Sequence, residues 1–182
     1  KRELLDLAGN KNLQVSIAIN AFSFMPKLFK EYLEAYPHVH FRQTIGTITK
    51  IQRKLENGEI DLSISVPPIQ GENIEYIPLI TKEVFLIVPQ GHRLASYQSI
   101  DLKEVADEPF ISLKEGYGLR DLTEKYCSQA GFTPKIAFEG DVAASLLDLV
   151  DSGLGILMAP VFTEIDLPQN LVFLPIREPI CK

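Results

Sequence analysis

Twice along this chain an apolar, β-rich run gives way to a stretch whose apolar residues recur at helical spacing, and that alternation leaves few folds open. LQVSIAI, starting at Leu13, alternates like a strand, and NAFSFMPKLFKEYLEAYP then shows helical spacing until Tyr36-Pro37 stops it. VHFRQTIG predicts a second strand, TITKIQRKLENGE a second helix closed by Asn57-Gly58, and IDLSISV a third strand ended by Pro67-Pro68. Two short β runs follow, IEYIPLI and VFLIVP. After the polar, helix-like SIDLKEVADEP the plan repeats: strand PFISL, helix GLRDLTEKYCSQAG, strand KIAFEG, helix VAASLLDLVDSG, buried strand GILMAP and finally LVFLPI.

Strands alternating with helices imply right-handed crossovers and parallel sheets, here in two small Rossmann-like α/β lobes. VFLIVP would lead across to the second lobe. The second half stops at REPICK, where the matching return strand should start, so a C-terminal strand and helix of the first lobe are expected to be absent from this chain. The start, KRELLDLAGNK, reads as the tail of a helix running into a Gly-Asn breaker, which suggests a piece of a longer protein.

With 182 residues and 46% hydrophobic content the chain can bury one large core or two small ones. A net charge of -6 argues against this chain touching nucleic acid by itself, because phosphate binding needs a basic face. Cys127 and Cys181 form neither a disulfide framework nor a metal motif, and no apolar run has membrane-spanning length. A cytoplasmic location fits.

His38 and His40 share one face of an alternating strand, but no third ligand lies nearby in sequence, so surface histidines are expected and no metal. No nucleophile elbow, P-loop, H-E-x-x-H or C-x-x-C occurs. Gly153-Leu154-Gly155 follows a helix and precedes a strand, the wrong order for a dinucleotide fingerprint; a helix C-cap and a tight approach to a buried strand explain it better. Cys127 reads as a small buried hydrophobe within a helix. No catalytic group or cofactor site identifies itself.

What remains is a set of strand-to-helix turns: Asn20-Ala21-Phe22-Ser23, Gly46-Thr47-Ile48-Thr49, Lys114 to Leu119, and Gly140-Asp141-Val142. In open α/β sheets ligands bind outside the carboxyl ends of the strands, and each turn also begins a helix whose free N–H groups favour an anion. Ser23, Thr47 and Asp141 could equally be plain N-caps, and the charge of Asp141 would repel an anion. In SLKEGYGLR, Lys114 is the side chain suited to an anionic ligand, Tyr117 could form a wall, and Arg120 is placed to pair with Glu124.

Met25-Pro26-Lys27-Leu28, Tyr36-Pro37-His38-Val39, the run Leu55 to Leu62 (LENGEIDL), the run Val88 to Ala95 (VPQGHRLA), Gly131-Phe132 and the run Val150 to Ile156 (VDSGLGI) lie along the chain in one order. That series resembles the effector-binding domain of LysR-type transcriptional regulators. Within the family, Lys114 to Arg120, Gln129 to Pro134 (QAGFTP) and Pro175 to Pro179 (PIREP) look closest to the activators of glutamate-synthase operons in Gram-positive bacteria, although Lys114 stands in place of their proline.

The resemblance implies a two-lobed fold of the type 2 periplasmic-binding-protein kind, with a small effector in the cleft between the lobes. It implies residues 1–11 as the end of a linker helix, 12–82 as lobe I and 83–182 as lobe II. Carried over by position, effector contacts fall on Asn20, Ala21, Phe22, Ser23 and Thr47, and on Lys114, Glu115, Gly116, Tyr117 and Gly118. The expected role is effector sensing, not catalysis: a small anionic metabolite, such as a dicarboxylate, amino acid or 2-oxo acid, would control a homodimer or tetramer. DNA would be reached only through a helix-turn-helix domain that this chain lacks. The alternative is a solute-binding protein of a membrane transporter, which would share the fold; an enzyme on the same plan would need a base–nucleophile pair that is not visible.

Overall fold

The computed structural model describes residues 13–19, 25–160 and 169–181, and it resolves into two compact units, Lys1–Tyr76 and Ile77–Lys182. In the first, β1 (Leu13–Ile19), α1 (Met25–Ala35), β2 (Val39–Thr44), α2 (Ile48–Glu56) and β3 (Leu62–Ile64) follow the predicted order. The three strands are parallel in the order β2-β1-β3, with Val15 opposite Phe41 and Ala18 opposite Ser63. Phe41 meets Phe29 and Tyr32 of α1, at centroid distances of 4.7 and 5.7 Å, so α1 covers the face that carries Val15. Ala18, on the other face, packs with Ile51 of α2. Neighbouring residues of a strand point to opposite faces, and one helix therefore sits on each. The strand order consequently reverses at β1, and the carboxyl ends of all three strands open on one edge.

The LENGEIDL run has a structural explanation at each step. Gly58 takes φ 70° as α2 ends, and its N–H donates to the Leu55 carbonyl, a turn that only glycine makes without strain. Ile60 is buried, and the Asp61 carboxylate accepts the Ser16 N–H at 2.7 Å, tying β3 to β1.

In the second unit come β4 (Val84–Pro89), β5 (Ile100–Asp101), a 3-10 turn (Leu102–Val105), β6 (Pro109–Leu113), α3 (Gly118–Gln129), β7 (Lys135–Gly140), α4 (Ala143–Asp151), β8 (Leu157–Pro160) and β9 (Leu171–Glu178). One sheet has the order β5-β9-β4-β8, while β6 and β7 pair in parallel. The two join where Ile111 donates to the Ile156 carbonyl at 2.8 Å and Ile156 donates back to Pro109 at 2.9 Å. Leu86, Val88, Phe110, Ile156, Met158 and Leu174 form a continuous core with Tyr126 and Cys127 of α3.

Three expectations fail. IEYIPLI forms no strand, and Tyr76, Ile77, Leu79 and Ile80 are exposed; Pro78 deletes a ladder donor, and alternation without a partner edge does not make a sheet. SIDLKEVADEP is not a helix but a two-residue strand and the 3-10 turn, in which Glu104 reaches back to the Asp101 N–H at 2.9 Å. The sheets are not wholly parallel: β4 runs antiparallel to both β8 and β9. No helical crossover feeds β4, so nothing obliges it to follow the parallel rule.

Candidate functional site

In the first unit the site candidates are the turns after β1 and β2. Asn20, Ala21, Phe22 and Ser23 lie outside the described residues. Thr47 is the N-cap of α2: its backbone is extended, with φ -66° and ψ 157°, and its hydroxyl accepts the Lys50 N–H at 3.3 Å. The capping reading therefore holds for Thr47, and this hydroxyl satisfies one of the orphan donors of the helix. The Lys50 side chain lies over Gly46, where an added Cβ would come within 3.3 Å of it.

The second unit builds its turn differently. Leu113 of β6 pairs with Gly140 of β7, so the residues that follow, Lys114 and Asp141, leave the sheet side by side. Lys114 Nζ donates to Asp141 Oδ2 at 2.6 Å, and the Tyr117 hydroxyl reaches Asp141 Oδ1 at 3.4 Å. The hydrogen bond from Lys114, then its charge, holds the Asp141 carboxyl below the usual carboxylate range; reciprocally, Asp141 raises the Lys114 ammonium. Burial first, then the Asp141 charge, pushes the Tyr117 phenol up. Asp141 is thus neither a cap nor free. Val142 occupies the N-cap position of α4.

Gly116 takes φ 82°, which lets the chain reverse between Lys114 and α3. Tyr117 is the N-cap of α3 with no side-chain cap bond, and its carbonyl accepts from Arg120 and Asp121. Helix geometry offers no acceptor to the Gly118 and Leu119 N–H groups. Glu115 is exposed and Gly118 is buried. The turn from Lys114 to Leu119 therefore gathers one cation, one carboxylate, one phenol and two N–H groups that have no acceptor within the helix.

Arg120 anchors that turn from beneath. Its Nε donates to Glu124 at 2.6 Å, the predicted pairing, and its Nη1 donates to the Leu113 carbonyl at 3.4 Å and to Glu139 at 3.3 Å. Burial opposes its charge, but the bonds to Glu124 and Glu139 outweigh it and raise the guanidinium. The sequence reading missed both the Lys114–Asp141 pair and Glu139. The signal was the register: two parallel strands ending level place the next residue of each in contact.

Cys127 is fully buried and its thiol is pushed up to about 12 by burial, which suits a core residue and not a nucleophile. Among the described residues no group of three His, Cys, Asp or Glu is arranged to hold a metal, and no helix is long and apolar enough to cross a membrane.

The profile of the family described as "LysR substrate binding domain" matches residues 10–181. The chain belongs to that LysR family. Among curated proteins it is 35% identical, over 79% of its length and 49% of the relative's, to the uncharacterized HTH-type transcriptional regulator YybE of Bacillus subtilis. It is 30% identical to the transcriptional dual regulator GltC of the same organism, over 89% of this chain and 55% of that one. The chain spans about half the length of the curated relatives it matches. Among solved structures, the effector-binding domain of QuiR in complex with shikimate superposes with a TM-score of 0.76 at 26% identity, covering 92% of this chain and 82% of that one. The fold is accordingly that of the LysR effector-binding domains, α/β and similar to type 2 periplasmic binding proteins. Membership places the chain among the LysR substrate-binding domains.

The LysR motif residues turn out to be scaffold. In VPQGHRLA, His92 Nδ1 accepts the Leu94 N–H at 3.3 Å, Leu94 is buried, and Arg93 donates to Glu108 at 2.8 Å. Gly131 takes φ 90° at the end of α3, and Phe132 lies 6.2 Å from Phe110. In VDSGLGI, Gly153 takes φ 76°, and a Cβ on Gly155 would sit 2.6 Å from the Pro109 carbonyl oxygen.

Proposed function

We propose that this LysR domain, with lobe I at residues 12–82 and lobe II at residues 83–182, senses a small anionic metabolite that binds at its strand-to-helix turns. The observation that carries the reading is the Lys114 to Gly118 turn, which sets a lysine ammonium, a tyrosine hydroxyl and uncapped helix N–H groups at the carboxyl end of β6. Such a group takes a carboxylate by charge-assisted hydrogen bonds. Thr47 and the Asn20 to Ser23 turn would contribute from lobe I. That QuiR was solved with shikimate, a hydroxylated carboxylate, supports an effector of the same size and charge.

The effector acts by binding one arrangement of the protein more tightly than another, which is the only way a ligand can move an equilibrium. The whole protein would be a homodimer or tetramer that reaches DNA through a helix-turn-helix domain outside this chain, in keeping with the HTH-type description of YybE. Within the family we favour the glutamate-synthase activator group, supported by the Gln129 to Pro134 run.

Thermal-shift screening against dicarboxylates, amino acids, 2-oxo acids and hydroxylated ring carboxylates tests the reading, since a ligand that binds only the native state raises its melting temperature. A hit whose shift is lost in Lys114→Met supports it. A hit that is indifferent to Lys114, Thr47 and Ser23 substitutions overturns the site.

A further inference from the structure

The Lys114 turn is not a simple anion trap. Two cations of the turn, Lys114 and Arg120, are paired with three carboxylates, Asp141, Glu124 and Glu139, and Glu115 and Asp121 add two more acidic groups. Arg120 is already committed to Glu124 and Glu139, so it adds no spare positive charge toward a ligand. Lys114 itself is neutralised by Asp141 at 2.6 Å. Both members of that pair remain about half exposed, at 48% and 50% of their side-chain surface, so a ligand can reach both. A bare dianion approaching here would meet a locally negative group and would have to displace Asp141 from Lys114.

The valences of the pair point to a different ligand. An ammonium has three donors, and Asp141 takes one from Lys114. An ionised carboxylate has roughly four acceptor positions, and Asp141 uses one fully, on Oδ2. The Tyr117 contact to Oδ1, at 3.4 Å, is long for an O–H···O bond and leaves that oxygen able to accept another donor. The pair thus offers a donor and an acceptor side by side. A group that presents an acceptor to Lys114 and a donor to Asp141 satisfies both without breaking their bond.

We propose that Asp141 is a specificity-determining residue: with Lys114 it selects effectors that carry a hydroxyl or ammonium beside their carboxylate, hydroxy acids or amino acids, over otherwise identical acids that lack the donor. This rests on the reading of the Lys114 turn as part of the effector site. The N–H groups of Gly118 and Leu119 take the carboxylate, and the Lys114–Asp141 pair reads the neighbouring donor.

Calorimetric titration of the intact chain with two matched pairs tests it: L-malate against succinate, and shikimate against cyclohex-1-ene-1-carboxylate. The wild type is expected to bind the hydroxylated member of at least one pair some five-fold or more tighter, because a site built around a hydrogen bond rejects the analogue that lacks it. Asp141→Asn, at an exposed position where folding is not at stake, is expected to bring that ratio to within about two-fold by strengthening the donorless acid. Lys114→Met is expected to weaken every ligand. If Lys114→Met weakens binding but Asp141→Asn leaves the ratio unchanged, or if the wild type favours the donorless acids, the selectivity role is overturned while the site stands. If none of the four binds, or Lys114→Met changes nothing, the effector-site reading falls with it.

Discussion

The two units use the same local plan to different ends. In the first, Thr47 spends its hydroxyl on the helix it begins; Ala18, Ile51, Ile60 and Ile69 form one buried cluster, and Ile17 and Val39 are buried besides. In the second, both α3 and α4, the latter the counterpart of α2, begin without a side-chain cap, a lysine and an aspartate face each other across the strand ends, and the core runs unbroken from Leu86 through Phe110 to Leu174. The first unit also leaves Leu28, Tyr32, Leu33 and Tyr36 exposed along and just beyond α1. The large core of the second unit tolerates two helices that begin without a side-chain cap.

The sharpest test of this contrast is in the cores. Phe110→Ala empties a fully buried site in the second unit and is expected to cost about 3–5 kcal/mol, while Ile51→Ala in the smaller cluster should fall nearer ~2 kcal/mol because its surroundings can collapse. Urea denaturation gives the totals, and hydrogen exchange locates them: Phe110→Ala should expose β4 and β6 amides, Ile51→Ala those of β1. Equal costs would break the comparison.

Two glycines sharpen it next. Gly155→Ala drives a Cβ to 2.6 Å from a backbone oxygen and is expected to cost about 1–3 kcal/mol, with Gly155→Asn worse. Gly58 has φ +70° and open space around its Cβ position, so Gly58→Ala should cost about 1 kcal/mol and Gly58→Asn less than that. The order of Ala and Asn inverts between the units because one glycine is there for space and the other for its dihedral. Below these comes Thr47→Ala, expected to cost ~1 kcal/mol as a lost cap, with Thr47→Ser neutral in thermal melts.

Most of the element order was legible because periodicity and turn residues carry it: Asn57-Gly58, Gly131 and Gly153 each end a helix by the left-handed turn their spacing announces. What failed depended on partners. Whether IEYIPLI is a strand is decided by an edge to pair with, and the direction of β4 by strands far along the chain, neither of which a local window contains. The site divided the same way. Arg120–Glu124 was readable because a helix fixes the i,i+4 spacing, whereas Lys114–Asp141 spans 27 residues and exists only through the β6–β7 register. The LysR motifs themselves mark turns and core positions, so they reveal the family and not a ligand.

The smallest expected effect concerns that pair. The Asp141 carboxyl is held below its ordinary value by Lys114, so its contribution to stability is fully present above the unfolded-state value and fades only as pH falls through the folded one, below about pH 4. Lys114 is raised by Asp141, so its share is present below the ordinary lysine range and is lost only as pH climbs through the raised value, above about pH 10. Between those limits the pair neither gains nor loses protons. Both groups are solvent-exposed, so Lys114→Met should leave the melting temperature at pH 7 unchanged within error. Carbon-detected NMR should nevertheless find the Asp141 titration shifted upward in that variant, toward the ordinary aspartate value. A pair with almost no stability effect but a clear mutual titration is held in place by the β6–β7 register, not by its own energy. A marked loss of stability in Lys114→Met would instead give the second unit the same dependence on its turn that Thr47 imposes on the first.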